Sequence, residues 1–142
     1  MANPANTTAY VGPDGRLWVN VTEAKTLAAA DSGYVQNVIY ANGVCTGPAA
    51  ATTGYFTVRN GGVPVTSGPT GTGSNGNLIS FDPASGDTVI GFNVADGTTA
   101  DGKQLNNTAA TSKVGDEISV LYSANANGPV VTEIKGVWVR ET

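Results

Sequence analysis

The stretch RLWVNVT, residues 16–22, decides the fold class because it places an apolar side chain at every second position. Leu17, Val19 and Val21 would lie on one face of an extended chain, since successive side chains of a β-strand point to opposite faces. The preceding residues, GPDG at 12–15, have the composition of a turn. We therefore predict a half-buried β-strand that begins directly after this turn.

Further stretches rich in Val, Ile, Tyr and Phe have the composition of strands. The 19 glycines and seven prolines, together with many Asn and Thr residues, supply turns between them. This pattern predicts about eight strands and an all-β fold, either a single β-sandwich or a β-barrel-like domain. Besides residues 16–22 and a hairpin strand from Val63, the predicted strands are 34–41, 54–59, 78–81, 87–95, 117–122 and 130–140.

The segments between these strands carry their own local signals. Residues 23–30 are the only stretch with helical composition, so we expect one or two helical turns there. Asn60-Gly61 favours a type I′ hairpin turn, because both residues tolerate positive φ. Gly136 interrupts the last strand and predicts a bulge or a bend. The Gly-, Thr- and Asn-rich residues 66–77 and the polar residues 95–113 are predicted to be long surface loops.

The domain organisation follows from length and from the composition of the first residues. A chain of 142 residues fits one domain with an appended segment. Residues 1–15 contain two prolines and show no periodicity, so they are predicted to form a flexible N-terminal arm. Residues 16–142 would then form the β domain.

Charge and composition argue against several classes of partner. The formal net charge is −4, only 13% of the residues are charged, and the seven Lys and Arg residues are scattered. Because phosphate neutralisation needs clustered cations, we expect no nucleic-acid partner. No apolar run approaches the roughly 18 residues of a membrane span, and residues 1–8 lack signal-peptide features, so no membrane contact is expected. A single cysteine, Cys45, fits a protein matured in a reducing cytoplasm.

The chain contains no histidine, which limits its chemistry more than any other feature. Ser-His-Asp and Cys-His nucleophile activation are therefore excluded, as are most zinc sites. Residues 71–76, GTGSNG, match GxGxxG, but no helix follows them and we interpret them as a loop. Eleven acidic residues leave a carboxylate pair or a calcium site built from distant loops as minor alternatives. We predict that the protein is not an enzyme and has no catalytic residues, cofactor or metal.

Two tryptophans are candidates for a contact surface. Trp18 and Trp138 each fall on the less apolar face of their strand, Trp18 with Arg16 and Asn20, and Trp138 with Arg140. Each ring could fill the end of a barrel or pack on a second sheet. Alternatively, the rings could be exposed interface aromatics, because aromatic residues are enriched at interface cores.

Several stretches together resemble a known family. They are the opening MANP, the step AADSG at residues 29–33, the stretch NTAATSKVGD at residues 107–116, and GVW at residues 136–138. With the Gly-, Thr- and Asn-rich loops, they resemble the small decoration (cement) proteins on the heads of tailed bacteriophages. The resemblance covers size, composition and layout across most of the chain.

This resemblance implies a homotrimer that binds the major capsid protein on the capsid exterior and stabilises the expanded shell. The protein would be made in the cytoplasm of the host bacterium and would end up in the virion. The low charged fraction agrees with this expectation, since charged residues are depleted at interface cores. The resemblance also implies that the N-terminal arm contacts the capsid, through Ala2, Asn3, Pro4, Ala5, Asn6, Thr7, Thr8 and Tyr10.

Two other functions remain open at the level of sequence. The first is a carbohydrate- or receptor-binding β module of a phage fibre or a bacterial adhesin, which would expose an aromatic ring beside Asn, Asp or Gln. The second is another structural protein of the virion, such as a tail component, which would form rings or tubes.

Overall fold

A computed structural model describes residues 9–49, 51–62, 78–84, 87–91, 103–108, 111–123 and 129–141. Within these ranges the chain forms eleven short strands and a single turn of 3-10 helix, Ala29–Asp31. The strands are β1 (Tyr10–Val11), β2 (Leu17–Val21), β3 (Lys25–Thr26), β4 (Val35–Val38), β5 (Gly43–Thr46), β6 (Gly54–Asn60), β7 (Ile79–Asp82), β8 (Leu105–Asn107), β9 (Glu117–Tyr122), β10 (Val130–Lys135) and β11 (Val139–Arg140).

The strands form two mixed sheets that share one hydrophobic core. Sheet A has the order β1-β2-β4-β6-β9-β10, and sheet B has the order β11-β8-β7-β5-β3. Both sheets contribute fully buried side chains to the same cluster, such as Phe56 and Val38 from sheet A and Phe81 and Leu105 from sheet B. The all-β prediction is thereby confirmed: the described residues form two sheets packed face to face and no closed barrel.

Strands β2 to β7 wind as a spiral between the two sheets. Strands β2, β4 and β6 lie side by side and parallel in sheet A, while β3, β5 and β7 lie parallel in sheet B. From β2 to β7 the chain therefore crosses to the other sheet after each strand and returns one position further along. Because parallel strands need long crossover connections, β3 and β5 of sheet B each serve as part of the crossover between two strands of sheet A. Strands β8 to β11 then pair antiparallel and complete both sheets.

The strand predictions made from alternation are largely confirmed. The stretch at residues 16–22 contains β2, in which Val19 and Val21 are buried and Asn20 is exposed. Residues 34–41 and 117–122 likewise contain β4 and β9. Residues 54–59 and 78–81 cover all but the last residue of β6 and of β7.

The last predicted strand is divided between the two sheets at Gly136. Strand β10 ends at Lys135 in sheet A, and β11 begins at Val139 in sheet B. Gly136 has a φ of +84°, a conformation that residues with a Cβ rarely adopt. The predicted bend is therefore confirmed, and it carries the chain from one sheet to the other.

The helical prediction for residues 23–30 is wrong. Those residues contain strand β3, and only Ala29 and Ala30 belong to the single 3-10 turn. Lys25 extends its ammonium to the Asp31 carboxylate at 2.7 Å and to the Gln36 carbonyl oxygen at 2.7 Å. Pairing of β3 with β5 and this polar contact outweigh a helix propensity that is weak over so few residues.

The predicted hairpin at Asn60-Gly61 is also wrong. Strand β6 ends at Asn60 with both neighbours already in place, β4 on one side and β9 on the other. A hairpin strand from Val63 would therefore find no free edge on β6. Residues 63–77 and 92–102, which hold most of the two predicted loops, lie outside the described residues.

Three buried segments were missed or misplaced by the pattern. Strand β5 lies between the predicted strands 34–41 and 54–59, and its Cys45 is fully buried. Strand β8 falls in the predicted surface loop 95–113, yet Leu105 and Asn107 are fully buried. Of the predicted strand 87–95, the described residues include 87–91, in which Ile90 makes a single parallel bridge with Val130. Val89 joins the core.

Cys45 is fully buried in the core. Burial raises the pKa of its thiol to about 12, because the surrounding apolar side chains disfavour the thiolate. Since the thiolate is the reactive form, Cys45 acts as a packing residue in the folded chain.

A buried polar cluster, made of Asn60, Asn107 and Asp116, ties sheet A to sheet B. The Asn60 Nδ2 atom donates to Asn107 Oδ1 at 2.8 Å, and Asn107 Nδ2 donates to Asp116 Oδ2 at 2.8 Å. Asn107 Nδ2 also donates to the Val137 carbonyl at 3.0 Å, and Lys113 N–H donates to Asp116 Oδ2 at 2.9 Å. This Asn107 cluster therefore joins β6, β8 and the segments next to β9 and β11 by hydrogen bonds between buried groups.

Candidate functional site

A row of polar side chains crosses the outer face of sheet A, the face turned away from the core. Its members occupy matched register positions on five strands: Asn20 on β2, Asn37 on β4, Arg59 on β6, Glu117 on β9 and Lys135 on β10. Asn37 Nδ2 donates to Asn20 Oδ1 at 3.0 Å, and Arg59 Nη1 donates to Asn37 Oδ1 at 2.8 Å. The row thus continues from strand to strand by side-chain contacts.

Glu117 is the buried anion of this row. Its Oε1 atom accepts from Arg16 Nη2 at 2.5 Å and lies 3.8 Å from Arg59 Nε. Its Oε2 atom lies 3.5 Å from Lys135 Nζ. The contact with Glu117 is the main reason that the pKa of Arg16 is raised above its usual value. Three cations therefore surround one buried carboxylate.

Asp14 anchors the turn that precedes β2. Its Oδ1 atom accepts from the Arg16 backbone N–H at 3.0 Å and from Trp18 Nε1 at 3.0 Å, while Oδ2 accepts from Arg16 Nε at 2.7 Å. These bonds use the carboxylate as an acceptor on both oxygens, as Asp often does in turns. The side-chain bond with Arg16 is the main cause that lowers the pKa of Asp14 from 3.8 to about 2.

The low pKa of Asp14 makes the turn sensitive to acid. A carboxyl whose pKa is lowered by folding contributes stability above its ordinary pKa of 3.8, and the contribution is lost as the pH falls to about 2. We expect an NMR titration of the Asp14 carboxyl to give a midpoint near 2, and the Arg16→Gln variant to move it back towards 3.8. A midpoint near 3.8 in the unmodified chain would contradict this geometry.

The guanidinium of Arg59 lies over the indole ring of Trp18. Its Cζ atom lies 4.4 Å from the ring centroid, within the range of a cation–π contact. Partial burial is the main cause that lowers the pKa of Arg59 from its usual value, although the guanidinium remains charged. Trp18 is additionally covered by the edge of the Tyr10 ring, at a centroid distance of 6.3 Å.

These residues line an open cleft of about 320 Å³ at the surface of sheet A. We call it the cationic cleft, and its lining residues are Pro13, Asp14, Arg16, Trp18, Arg59, Gly115, Glu117 and Lys135. It contains three cations and two carboxylates, which leaves one excess positive charge. The lining residues include no Ser, Cys or Thr side chain.

The sequence-predicted contact residues fall into two groups. The arm residues Ala2 to Thr8 lie outside the described residues, whereas Tyr10 lies on edge strand β1 and is 39% exposed. Tyr10 donates its hydroxyl to Asn20 Oδ1 at 2.7 Å. Residues 9–15, predicted as the end of the arm, include β1, which pairs with β2.

Both tryptophans are buried inside the chain, at 6% exposure for Trp18 and 2% for Trp138. Trp18 fills the wall of the cationic cleft, and Trp138 joins the core and donates its Nε1 to the Lys135 carbonyl at 3.0 Å. Their role as interface aromatics stays a prediction. In this structure neither ring is presented to solvent.

Exposed apolar side chains on sheet A form a second candidate surface. Tyr55 on β6 and Leu121 on β9 are direct register partners on the outer face, and each is 40% exposed. They lie at the opposite end of these strands from Arg59 and Glu117. We call this the apolar pair.

Within the described residues, no helix has the length and apolar composition needed to cross a membrane. The same part of the chain brings together no group of three or more acidic or cysteine side chains suited to a metal ion. The sequence matches no protein-family model, and a comparison with curated proteins finds no relative. The function must therefore be argued from the cleft, the apolar pair and the fold.

Proposed function

We propose that the chain is a non-catalytic structural protein of a phage head, which binds the capsid exterior as a homotrimer and stabilises the expanded shell. The observation that carries the proposal is the apolar pair, Tyr55 and Leu121, exposed on two interior strands of sheet A. An aromatic ring and a leucine in direct register form an apolar surface, and exposure of this surface to water is energetically unfavourable. Such a surface is typical of contacts between identical subunits, which are more apolar than transient ones.

The fold supports a structural role. The sheets share one core, and the buried Asn107 cluster joins them by hydrogen bonds that are satisfied inside the chain. A rigid body of this kind keeps its surfaces in fixed positions, which is what binding to a regular lattice requires. Many identical contacts around a trimer add through effective concentration, so each can be weak alone.

Edge strand β1 supports a role for the preceding arm. Tyr10 and Val11 pair with Trp18 and Leu17, and both remain exposed on the edge of sheet A. Tyr10 also contacts the ring of Trp18, which lines the cationic cleft. In our proposal the arm and the cleft face the coat protein, while the apolar pair faces a second copy of the chain.

Light scattering on the purified protein tests the trimer. We expect a mass of about 43 kDa, three times the 14.3 kDa of one chain, over a range of concentrations. The Leu121→Lys variant should lower this mass, because a lysine cannot be buried unpaired in an apolar contact. Val114→Lys is the matched control, since Val114 is also exposed but lies outside the strands. A monomer at every concentration would contradict the trimer.

Removal of residues 1–8 tests the arm without touching β1. We expect the shortened chain to keep its oligomeric mass and to bind capsids more weakly than the full chain. Equal binding by the two chains would show that the arm makes no contribution.

Carbohydrate binding is the second candidate, and one observation favours it. Tyr10 is an exposed aromatic ring, and its hydroxyl bonds to the exposed amide of Asn20. An aromatic face beside an amide is the pairing that a sugar site would use. A glycan array probed with the chain and with Tyr10→Ser would detect such binding, and a sugar that binds only the unmodified chain would support this alternative.

A further inference from the structure

The cationic cleft contains more hydrogen-bond donors than the described residues satisfy. Arg59 uses Nη1 on Asn37, and its Nε lies 3.8 Å from Glu117, whereas no described residue accepts from Nη2. Lys135 has three N–H donors and a single contact, 3.5 Å from Glu117 Oε2, and its side chain is 54% exposed. Both carboxylates, in contrast, already accept from Arg16. The cleft therefore has free hydrogen-bond donors, and the group that it can bind is a hydrogen-bond acceptor.

Gly115 leaves open space beside this donor. It has a φ of +101°, and a Cβ at this position would lie 3.7 Å from Arg59 Nη2. A larger side chain here would cover the guanidinium and close the cleft. The absence of a side chain keeps Nη2 reachable from solvent.

Charge and size select the kind of acceptor. The lining residues carry one excess positive charge, which suits a single negative charge, whereas a dianionic phosphate would face the carboxylates of Asp14 and Glu117. The Nη2 group of Arg59 offers a charge-assisted hydrogen bond to one oxygen of a carboxylate. Partial burial of Arg59, which lowers its pKa, also means that an incoming anion replaces little of its hydration. A volume of about 320 Å³ accommodates one side chain rather than an extended polymer.

We propose that the cationic cleft is a carboxylate-binding site, in which Arg59 and Lys135 hold one acidic side chain of a partner protein. The carboxylate accepts from Arg59 Nη2 and Lys135 Nζ, next to Gly115. That this partner is the coat protein rests on the function proposed above. The site itself does not depend on that function, because its chemistry is contained in this chain.

The test uses the isolated full chain and two small probes. N-acetyl-glutamate methylamide carries one side-chain carboxylate, and N-acetyl-glutamine methylamide is its neutral counterpart. We expect the glutamate probe to shift the NMR signals of Arg59 Nε–Hε and the Gly115 amide in a saturable manner at constant ionic strength. The glutamine probe should leave these signals unchanged.

Variants at two exposed lysines locate the site. Lys135→Gln should weaken binding of the glutamate probe at least about fivefold, since it removes one charge-assisted hydrogen bond. Lys135→Arg should restore much of the affinity. Lys113→Gln removes the same charge outside the cleft and should change the affinity less than about twofold, because exposed charges at a distance are screened.

Two results would overturn the proposal: shifts of equal size with both probes, or equal affinity in Lys135→Gln and the unmodified chain. Absence of any saturable shift would overturn it as well. Because no capsid is present, these outcomes are independent of the proposed function. A chain that binds the glutamate probe but not capsids would retain the site and lose the capsid role.

Discussion

Replacing Asn107 by alanine is expected to lower the free energy of unfolding by about 3 kcal/mol. Asn107 is fully buried and both accepts from Asn60 and donates to Asp116. Its truncation leaves the Asn60 amide and the Asp116 carboxylate without these partners inside the protein. Each buried polar group that loses a hydrogen-bond partner costs about 1–3 kcal/mol, because the hydrogen bond to water that it lost on folding is no longer replaced. Urea unfolding followed by tryptophan fluorescence measures the change.

Asn106→Ala is the matched control for this variant. Asn106 is the preceding residue of the same strand, is only partly buried, and accepts one hydrogen bond from Ser80 at 2.6 Å. We expect a loss of about 1 kcal/mol, the usual net value of one hydrogen bond. If the two variants were equally stable, the Asn107 cluster would not hold the two sheets together in the way described.

Replacing Gly136 by alanine is expected to destabilise the chain by about 3 kcal/mol or more, for two combined reasons. The backbone at Gly136 has a φ of +84°, which costs a residue with a Cβ about 1–2 kcal/mol. In addition, the new Cβ would collide with the carboxylate of Asp116, which belongs to the Asn107 cluster. The backbone would have to shift at the point where it passes from sheet A to sheet B.

Gly33→Ala separates the two causes. Gly33 has nearly the same φ, +86°, but a Cβ at this position meets no atom within 4 Å. We therefore expect a loss of only about 1 kcal/mol from backbone strain alone. Thermal unfolding of both variants gives the difference between their losses of stability. This difference measures the cost of the collision with Asp116. Equal losses would mean that the carboxylate moves aside at no cost.

The strands that the sequence predicts are those with a clear period of two. Residues 16–22 alternate because β2 is buried on one face and partly open on the other, so the pattern records its environment directly. Strand β8 carries no such pattern. Its sequence, Leu-Asn-Asn, is polar, yet it is buried because the Asn107 amide is satisfied by Asn60 and Asp116.

The spiral of parallel strands could not be predicted from the sequence. Trp18, Val35 and Thr57 lie side by side in sheet A, but they are separated by unequal stretches of chain, so no repeat is visible. Asn-Gly at residues 60–61 is a strong local signal for a hairpin. No hairpin forms there, because strand β6 is already paired on both sides and because Asn60 forms part of the Asn107 cluster.

The candidate site could not be predicted from the sequence either. Arg59, Glu117 and Lys135 are far apart along the chain and meet only because β6, β9 and β10 place them in one register row. Arg16 precedes β2 and reaches Glu117 through its long side chain. The one local signal was the turn at residues 12–15, where Asp14 was assigned to a turn by its composition. Trp18, for which the sequence left both packing within the fold and exposure open, forms the wall beneath Arg59.

Co-sedimentation of the purified chain with phage heads tests the proposed role on the capsid exterior most directly. Expanded and unexpanded heads are compared at equal concentrations, and the bound protein is measured in the pellet. We predict saturable binding to expanded heads, little binding to unexpanded ones, and a raised melting temperature of the decorated shell. Protein that remains in the supernatant with both kinds of head would contradict a role on the capsid exterior.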